Sequence, residues 1–211
     1  MQQEYIQFGC GLCAPPTWRN FDAGPAFWLQ KKLPFLKSAI VGRGFPDYPA
    51  NIEYGDVIDG LPVAERSAQA VYCSHVLEHL ALNEFRRTLL NVFSYLKPGG
   101  VFRLVVPDLE RIVRTYVESD RADAAIVFMH EANLGEPNKS RGLGDKAKSV
   151  FGRSAHLTMW DYKGMAAELT QAGFVGIRRA QCGDAADPRF LDVEDPGRWR
   201  EDLGMECFRP H

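Results

Sequence analysis

The chain has 211 residues, 45% hydrophobic and 25% charged, enough to bury one good core and to form a single α/β domain over residues 1–211. Its 25 Lys and Arg against 27 Asp and Glu leave a net charge of −2, so no basic field exists to hold a nucleic-acid backbone or an anionic membrane surface. No apolar run is long enough for a membrane span, and the opening MQQEYIQFGCG lacks the series of a secretion signal, which points to a cytoplasmic protein.

Tyr5–Phe8 reads as a first strand entering the turn Gly9-Cys10-Gly11, and Trp18–Phe21 as a second strand ending at Asp22. The Pro15-Pro16 connection between them leaves little room for the helix of an ordinary crossover, which predicts an abbreviated, irregular link. Pro25–Ile40 is helix-compatible, with Phe27, Trp28, Phe35 and Leu36 apolar and Pro34 as a break. Asn51–Tyr54 is a third strand and leads to Asp56.

Ala70–Asp108 is the most informative stretch. Val71–Cys73 is a short apolar run closed by Ser74. Phe85, Leu89, Val92, Phe93 and Leu96 then recur at helical spacing until Lys97-Pro98-Gly99-Gly100 stops the helix, and Val101–Val106 forms another strand ended by Pro107. Such a βαβ unit forces parallel pairing and places a ligand crevice at the carboxyl ends of the strands, with Ser74 and His75 at that edge.

Beyond it, Leu109, Ile112, Val113, Tyr116 and Val117 share a helical face behind Asp108 as N-cap. From Ser119 to His156 the pattern weakens: Ala124–Ala132 is helical, but NLGEPNKSRGLGDKAKS is polar and Gly-rich. Asp161 caps a helix over Tyr162–Ala172, Val175–Cys182 is a strand, and Glu206–Arg209 is the last one. Five scattered cysteines, an odd number, point to reduced thiols, with the C-x-x-C of Cys10 and Cys13 read as small residues in a tight turn.

Taken in order, Gly9-Cys10-Gly11, Asn20-Phe21-Asp22, Asp56 with Leu61-Pro62, Ser74-His75-Val76-Leu77-Glu78-His79 and Leu96-Lys97-Pro98-Gly99-Gly100 form a signature. It resembles that of the class I S-adenosylmethionine-dependent methyltransferases, and within them the small methyltransferase-11-like proteins. The likeness is strong from Tyr5 to Asp108 and looser from His156 to Cys182, through Trp160-Asp161, Leu169 and Ala172-Gly173-Phe174. It implies a Rossmann-like α/β fold, a mostly parallel seven-stranded sheet flanked by helices, and S-adenosylmethionine as cofactor.

The resemblance also implies which residues hold that cofactor. The Gly9, Cys10 and Gly11 turn would bring backbone N–H groups to the ribose and aminocarboxypropyl end, and Asp22 would accept from the ribose hydroxyls. Asp56, with Asp59 as rival, would take the adenine amine, and Ser74 would lie beside the methionine moiety. Three positions depart from the pattern: Gln7 replaces the acidic residue expected before Gly9, Cys13 replaces a third glycine, and Gln69 replaces an Asp opening the fourth strand. Gln7 can still accept from the cofactor ammonium through its amide oxygen.

Methyl transfer from a sulfonium is an in-line displacement, so the protein must align the partners and remove a proton from a hydroxyl or amine acceptor. His156 is the first candidate base and His75 the second. The expected acceptor is a small molecule or glycan, methylated on oxygen or nitrogen. Many relatives cover the site with helices before the first strand, whereas only a few residues precede Tyr5 here. Residues 119–154 are therefore assigned as a lid, ordered by ligand or by the partner subunit of a homodimer.

Gln7, Cys13 and Gln69 keep open a cofactor-binding module without activity, serving to bind or regulate a partner. A nicotinamide-dependent oxidoreductase would show G-x-G-x-x-G leading into a full helix, which is missing. His75-Val76-Leu77-Glu78-His79 also fits H-x-x-E-H, the pattern of an inverted zinc peptidase. That chemistry needs a third ligand, and nothing marks His130 or Glu131 as one, so no metal is expected.

Overall fold

The computed structural model describes residues 4–42, 44–134 and 155–211. Continuous apolar runs make the central strands. β1 (Tyr5–Phe8) is buried at every residue and β4 (Ala68–Ser74) at all but Gln69, as expected of strands covered on both faces. β1 pairs in parallel with β2 (Arg19–Asp22) and with β4, β2 with β3 (Ile52–Tyr54), and β4 with β5 (Leu96–Pro107). Antiparallel pairing places β7 (Asp202–Phe208) between β5 and β6 (Val175–Ala180), which completes a seven-stranded sheet in the order β3-β2-β1-β4-β5-β7-β6. The link from β1 to β2 carries no helix, so the first crossover is abbreviated. Strand order reverses between β1 and β4, and that reversal opens a crevice beyond their carboxyl ends.

Local chemistry sets the helices. Pro34 separates α1 (Pro25–Lys32) from α2 (Lys37–Val41) through a 3₁₀ turn. α3 (Leu82–Tyr95) buries Phe85, Thr88, Leu89, Val92 and Tyr95 against the sheet. Arg209 closes its far end, its guanidinium donating to the Phe93 and Leu96 carbonyls at 2.8 and 2.9 Å. Asp108 caps α4 (Leu109–Val117) and Asp161 caps α6 (Tyr162–Gln171), while α5 (Ala124–Glu131) packs on α4 through Tyr116 and Phe128. Of the segment assigned as a lid, residues 119–134 carry this helix; residues 135–154 lie outside the described residues. Among the described residues no helix is long and apolar enough to cross a membrane.

Two strands differ from the sequence reading. β5 begins at Leu96, paired with Ala68, and passes through Pro98 to Gly100 as an irregular stretch before regular pairing at Val101. Residues after β7 hold that stretch: Gly99 N–H donates to the Arg209 carbonyl and Arg209 N–H to Gly100, both at 2.9 Å. β7 begins at Asp202, not at Glu206. Asp and Gly have poor strand propensity, but β7 pairs with strands on both sides, and that pairing overrides it.

Candidate functional site

A cavity of about 400 Å³ opens at the carboxyl ends of β1 and β4, where the strand order reverses. Its floor is the turn after β1. Gly9 has φ +62°, and a Cβ there would stand 2.2 Å from Val76 Cγ2, so only glycine fits. Gly11, with φ +56°, would instead point a Cβ into open space. Buried Asp22 at the end of β2 orders this turn, one carboxylate oxygen accepting from Gly11 N–H at 2.9 Å and the other from Gly24 N–H at 2.6 Å. Each oxygen keeps a lone pair for a further donor.

The opposite wall comes from far along the chain. Val193, Asp195 and Arg198 line the cavity together with Tyr48, Tyr72 and Ser74. Arg198 comes from the short helix α7 (Pro196–Trp199) and donates to Ser74 Oγ at 3.1 Å and to the Ser74 carbonyl at 2.7 Å. Asp195, the N-cap of α7, accepts from Gly197 N–H at 2.8 Å. One wall of the cavity therefore carries a carboxylate and a guanidinium.

Beyond Ser74 the chain turns sharply, with His75 at φ +55°, into a 3₁₀ turn over Leu77–His79. His75 Nε2 lies 3.0 Å from the Arg198 carbonyl and 3.4 Å from Asp202, while Nδ1 lies 3.3 Å from Glu78 Oε1. Burial alone would lower the pKa of this ring, but Asp202, Glu78 and the Arg198 carbonyl outweigh it and raise it to about 10. His75 thus holds a proton at neutral pH and is not poised to take one. His156 packs beside His79, ring centroids 5.1 Å apart, and burial lowers its pKa.

A family model described as a methyltransferase domain matches residues 31–104. Solved structures with the same fold include a methyltransferase from Thermotoga maritima, described as a possible histamine N-methyltransferase. It has a TM-score of 0.52 and 15% identity over 97% of this chain and 81% of its own. The methyltransferase SibL in its apo form gives 0.51 and 15%, over 98% of this chain and 50% of its own. PigF with SAH gives 0.50 and 15%, over 97% and 55%. This chain therefore spans about half the length of the last two. No curated protein matches the sequence. The seven-stranded order with its inserted antiparallel strand accords with these matches. The chain thus carries a match to a methyltransferase domain over residues 31–104 and shares its fold with S-adenosylmethionine-dependent methyltransferases.

Of the cofactor residues expected from the sequence, Gln7, Gly9, Cys10, Gly11 and Ser74 line the cavity. Asp22 stands behind the glycine turn, and Asp56, whose Oδ1 accepts from Ile58 N–H at 2.9 Å, shapes its own loop; neither belongs to the lining. His75 and His156 are outside the lining as well. Gln7 spends its amide N–H groups on bracing the turn, donating to the Cys13 carbonyl at 2.7 Å and to the Asn20 side chain. Cys10 and Cys13 are free thiols, both pushed up by burial, and Cys13 N–H closes a turn on the Cys10 carbonyl at 3.0 Å. Asp195 and Arg198 went unseen in the sequence, because nothing local in an Asp-, Pro- and Arg-rich tail says which of its charges reaches back to β4.

Proposed function

We propose that this protein is a methyltransferase that transfers the methyl group of S-adenosylmethionine to an oxygen or nitrogen of a small-molecule or glycan acceptor. The observation carrying the cofactor half is the cavity itself: a glycine turn with exposed backbone at the strand-order reversal, faced by Asp195 and Arg198. The aminocarboxypropyl end of the cofactor is zwitterionic. Arg198 suits its carboxylate and Asp195 its ammonium, which supplies the charge missing at Gln7. Gly9, Cys10 and Gly11 would lie along the cofactor, Asp22 toward the ribose, Asp56 toward the adenine, and Ser74 beside the sulfonium. Bound cofactor supplies the electrophilic methyl; the chain's part is to hold it in line with the acceptor and to accept a proton. We assign that proton to His156, which precedes Trp160-Asp161. A net charge of −2 favours a small or neutral acceptor over a polyanion.

Calorimetric titration with S-adenosylmethionine, S-adenosylhomocysteine and NAD tests this reading. Saturable binding of the first two alone is expected, weakened about tenfold by Asp195→Asn and by Arg198→Ala, as for one lost charged contact each. Binding of NAD, or of neither sulfur ligand, would overturn it. A second reading, a cofactor-binding module without turnover, draws support from Gln7, whose amide braces the loop. Tight cofactor binding with no product across hydroxyl, amine and sugar acceptors would favour that reading.

A further inference from the structure

Glu78 is 1% exposed, and neither of its carboxylate oxygens has a hydrogen-bonding partner among the described residues. A buried carboxylate without hydrogen bonds is costly, and proteins keep one where something else completes it. What surrounds it is imidazole. His75 Nδ1 lies 3.3 Å and His79 Nε2 3.9 Å from Glu78 Oε1, and the ring of His156 packs against that of His79. Ligand atoms of Glu78, His79 and His156 all lie within 4.8 Å of one another.

Main-chain bonds hold the three together. The Glu78 carbonyl accepts from Leu157 and Thr158 N–H at 2.8 and 3.1 Å, and Thr158 Oγ1 donates to the Leu80 carbonyl at 3.2 Å. These bonds staple the segment carrying His156 to the 3₁₀ turn carrying Glu78 and His79. His79 Nδ1 faces the Ala155 carbonyl at 3.4 Å, which favours a proton on Nδ1 and a lone pair on Nε2, toward Glu78. His156 Nδ1 faces Met159 Sδ at 3.3 Å, which leaves Nε2 as the donor for an ion.

We propose that Glu78, His79 and His156 bind one divalent transition-metal ion of the zinc class. Two imidazoles and a carboxylate suit zinc or cobalt, with bonds of about 2.0–2.2 Å; magnesium and calcium take oxygen ligands. Closing the three donors onto one ion needs only side-chain adjustment on a backbone already in place. The ligand set is not that of the peptidase pattern. His75, its first histidine, pairs with Glu78 and Asp202, and Glu78 serves as a ligand instead of a base. Glu131, once weighed as third ligand, pairs with Arg111 at 3.2 Å.

Three protein ligands leave coordination positions open, on the turn that follows Ser74 of the cavity wall. An ion there would take up the His156 lone pair otherwise assigned to the proton, and in return would hold an acceptor oxygen or nitrogen and lower its pKa. This use of the ion rests on the methyl-transfer reading; its binding does not.

The test is titration of chelator-treated protein with Co²⁺, followed by its visible absorption, and with Zn²⁺ by calorimetry. One equivalent should bind, Mg²⁺ should not, and Glu78→Gln, His79→Ala and His156→Ala should each weaken binding at least about 100-fold. S-adenosylhomocysteine affinity in the same variants reports that they are folded. Unchanged metal affinity in folded variants, or no binding in the unaltered protein, would overturn the proposal. Metal binding without S-adenosylhomocysteine binding would uphold it while sinking the cofactor reading.

Discussion

Arg103 and Glu78 are both buried charged side chains, and their surroundings are opposite. Arg103, on β5, is 0% exposed. It donates to Glu194 at 2.8 Å, Glu206 at 2.7 Å, Asp184 at 2.9 Å and the Gln181 carbonyl at 3.0 Å, with its plane near the rings of Phe190 and Trp199. Glu78 is 1% exposed, and its oxygens have no hydrogen bond among the described residues. The satisfied cation ties β5 to β7 and to the segment that forms the far wall of the cavity. The Glu78 carboxylate, with the His75 ring 3.3 Å away as its nearest ion-pair partner, stands one short turn past Ser74, amid three histidines. A buried charge whose donors are all used builds structure, whereas one left open is a place for a ligand.

Removing the satisfied charge should have the largest effect. Arg103→Met leaves buried Glu194 without its cation and Glu206 with Arg178 alone, and is expected to destabilise the protein by about 3–5 kcal/mol in urea unfolding. A loss below about 1 kcal/mol would erase the contrast drawn here. Next comes the turn under the cavity. Gly9→Ala meets Val76 at 2.2 Å with φ +62° and should cost about 2–4 kcal/mol. Gly11→Ala, with φ +56° but open space ahead, should cost only about 1–2 kcal/mol and lose cofactor affinity by intruding on the cavity. Equal stability of the two variants would count against this geometry.

Glu78→Gln should change the stability of metal-free protein by no more than about 1 kcal/mol, since only the His75 pair is weakened and no hydrogen bond among the described residues is lost; urea unfolding beside Arg103→Met gives the comparison directly. The smallest effect concerns the rim of the Arg103 cluster. Burial alone would raise the Asp184 carboxyl, but the guanidiniums of Arg178 and Arg103 outweigh it and hold its pKa at about 2. A depressed carboxylate stabilises the fold above its ordinary pKa of 3.8, and this contribution fades as pH falls toward 2. Melting curves of Asp184→Asn between these pH values should therefore be flatter than those of the unaltered chain.

Much of the turn that floors the cavity was legible because its parts are neighbours in sequence. The strand Tyr5–Phe8 runs straight into Gly9-Cys10-Gly11, and Asp22 closes the next strand, so hydrophobic period and turn chemistry place them together. The abbreviated crossover was readable from the short proline link for the same reason. β7 was read too short, since its Asp and Gly argue against a strand until two partners are in place. The contacts of His75 with Glu78 and Asp202, which raise its pKa, could not be read from its position in the sequence.

The sequence by itself determined the α/β class, the βαβ unit around Ser74 and the glycine turn, because each follows from rules acting over one strand, one helix or one turn. Tertiary structure alone decided that Asp195 and Arg198 face the cavity, that Arg103 meets Glu194 and Glu206, and that His156 stands beside Glu78 and His79. Those pairings join residues from opposite ends of the chain. They depend on β7 entering between β5 and β6 and on backbone bonds from Glu78 to residues 157 and 158, neither of which leaves a periodic trace in the residues themselves.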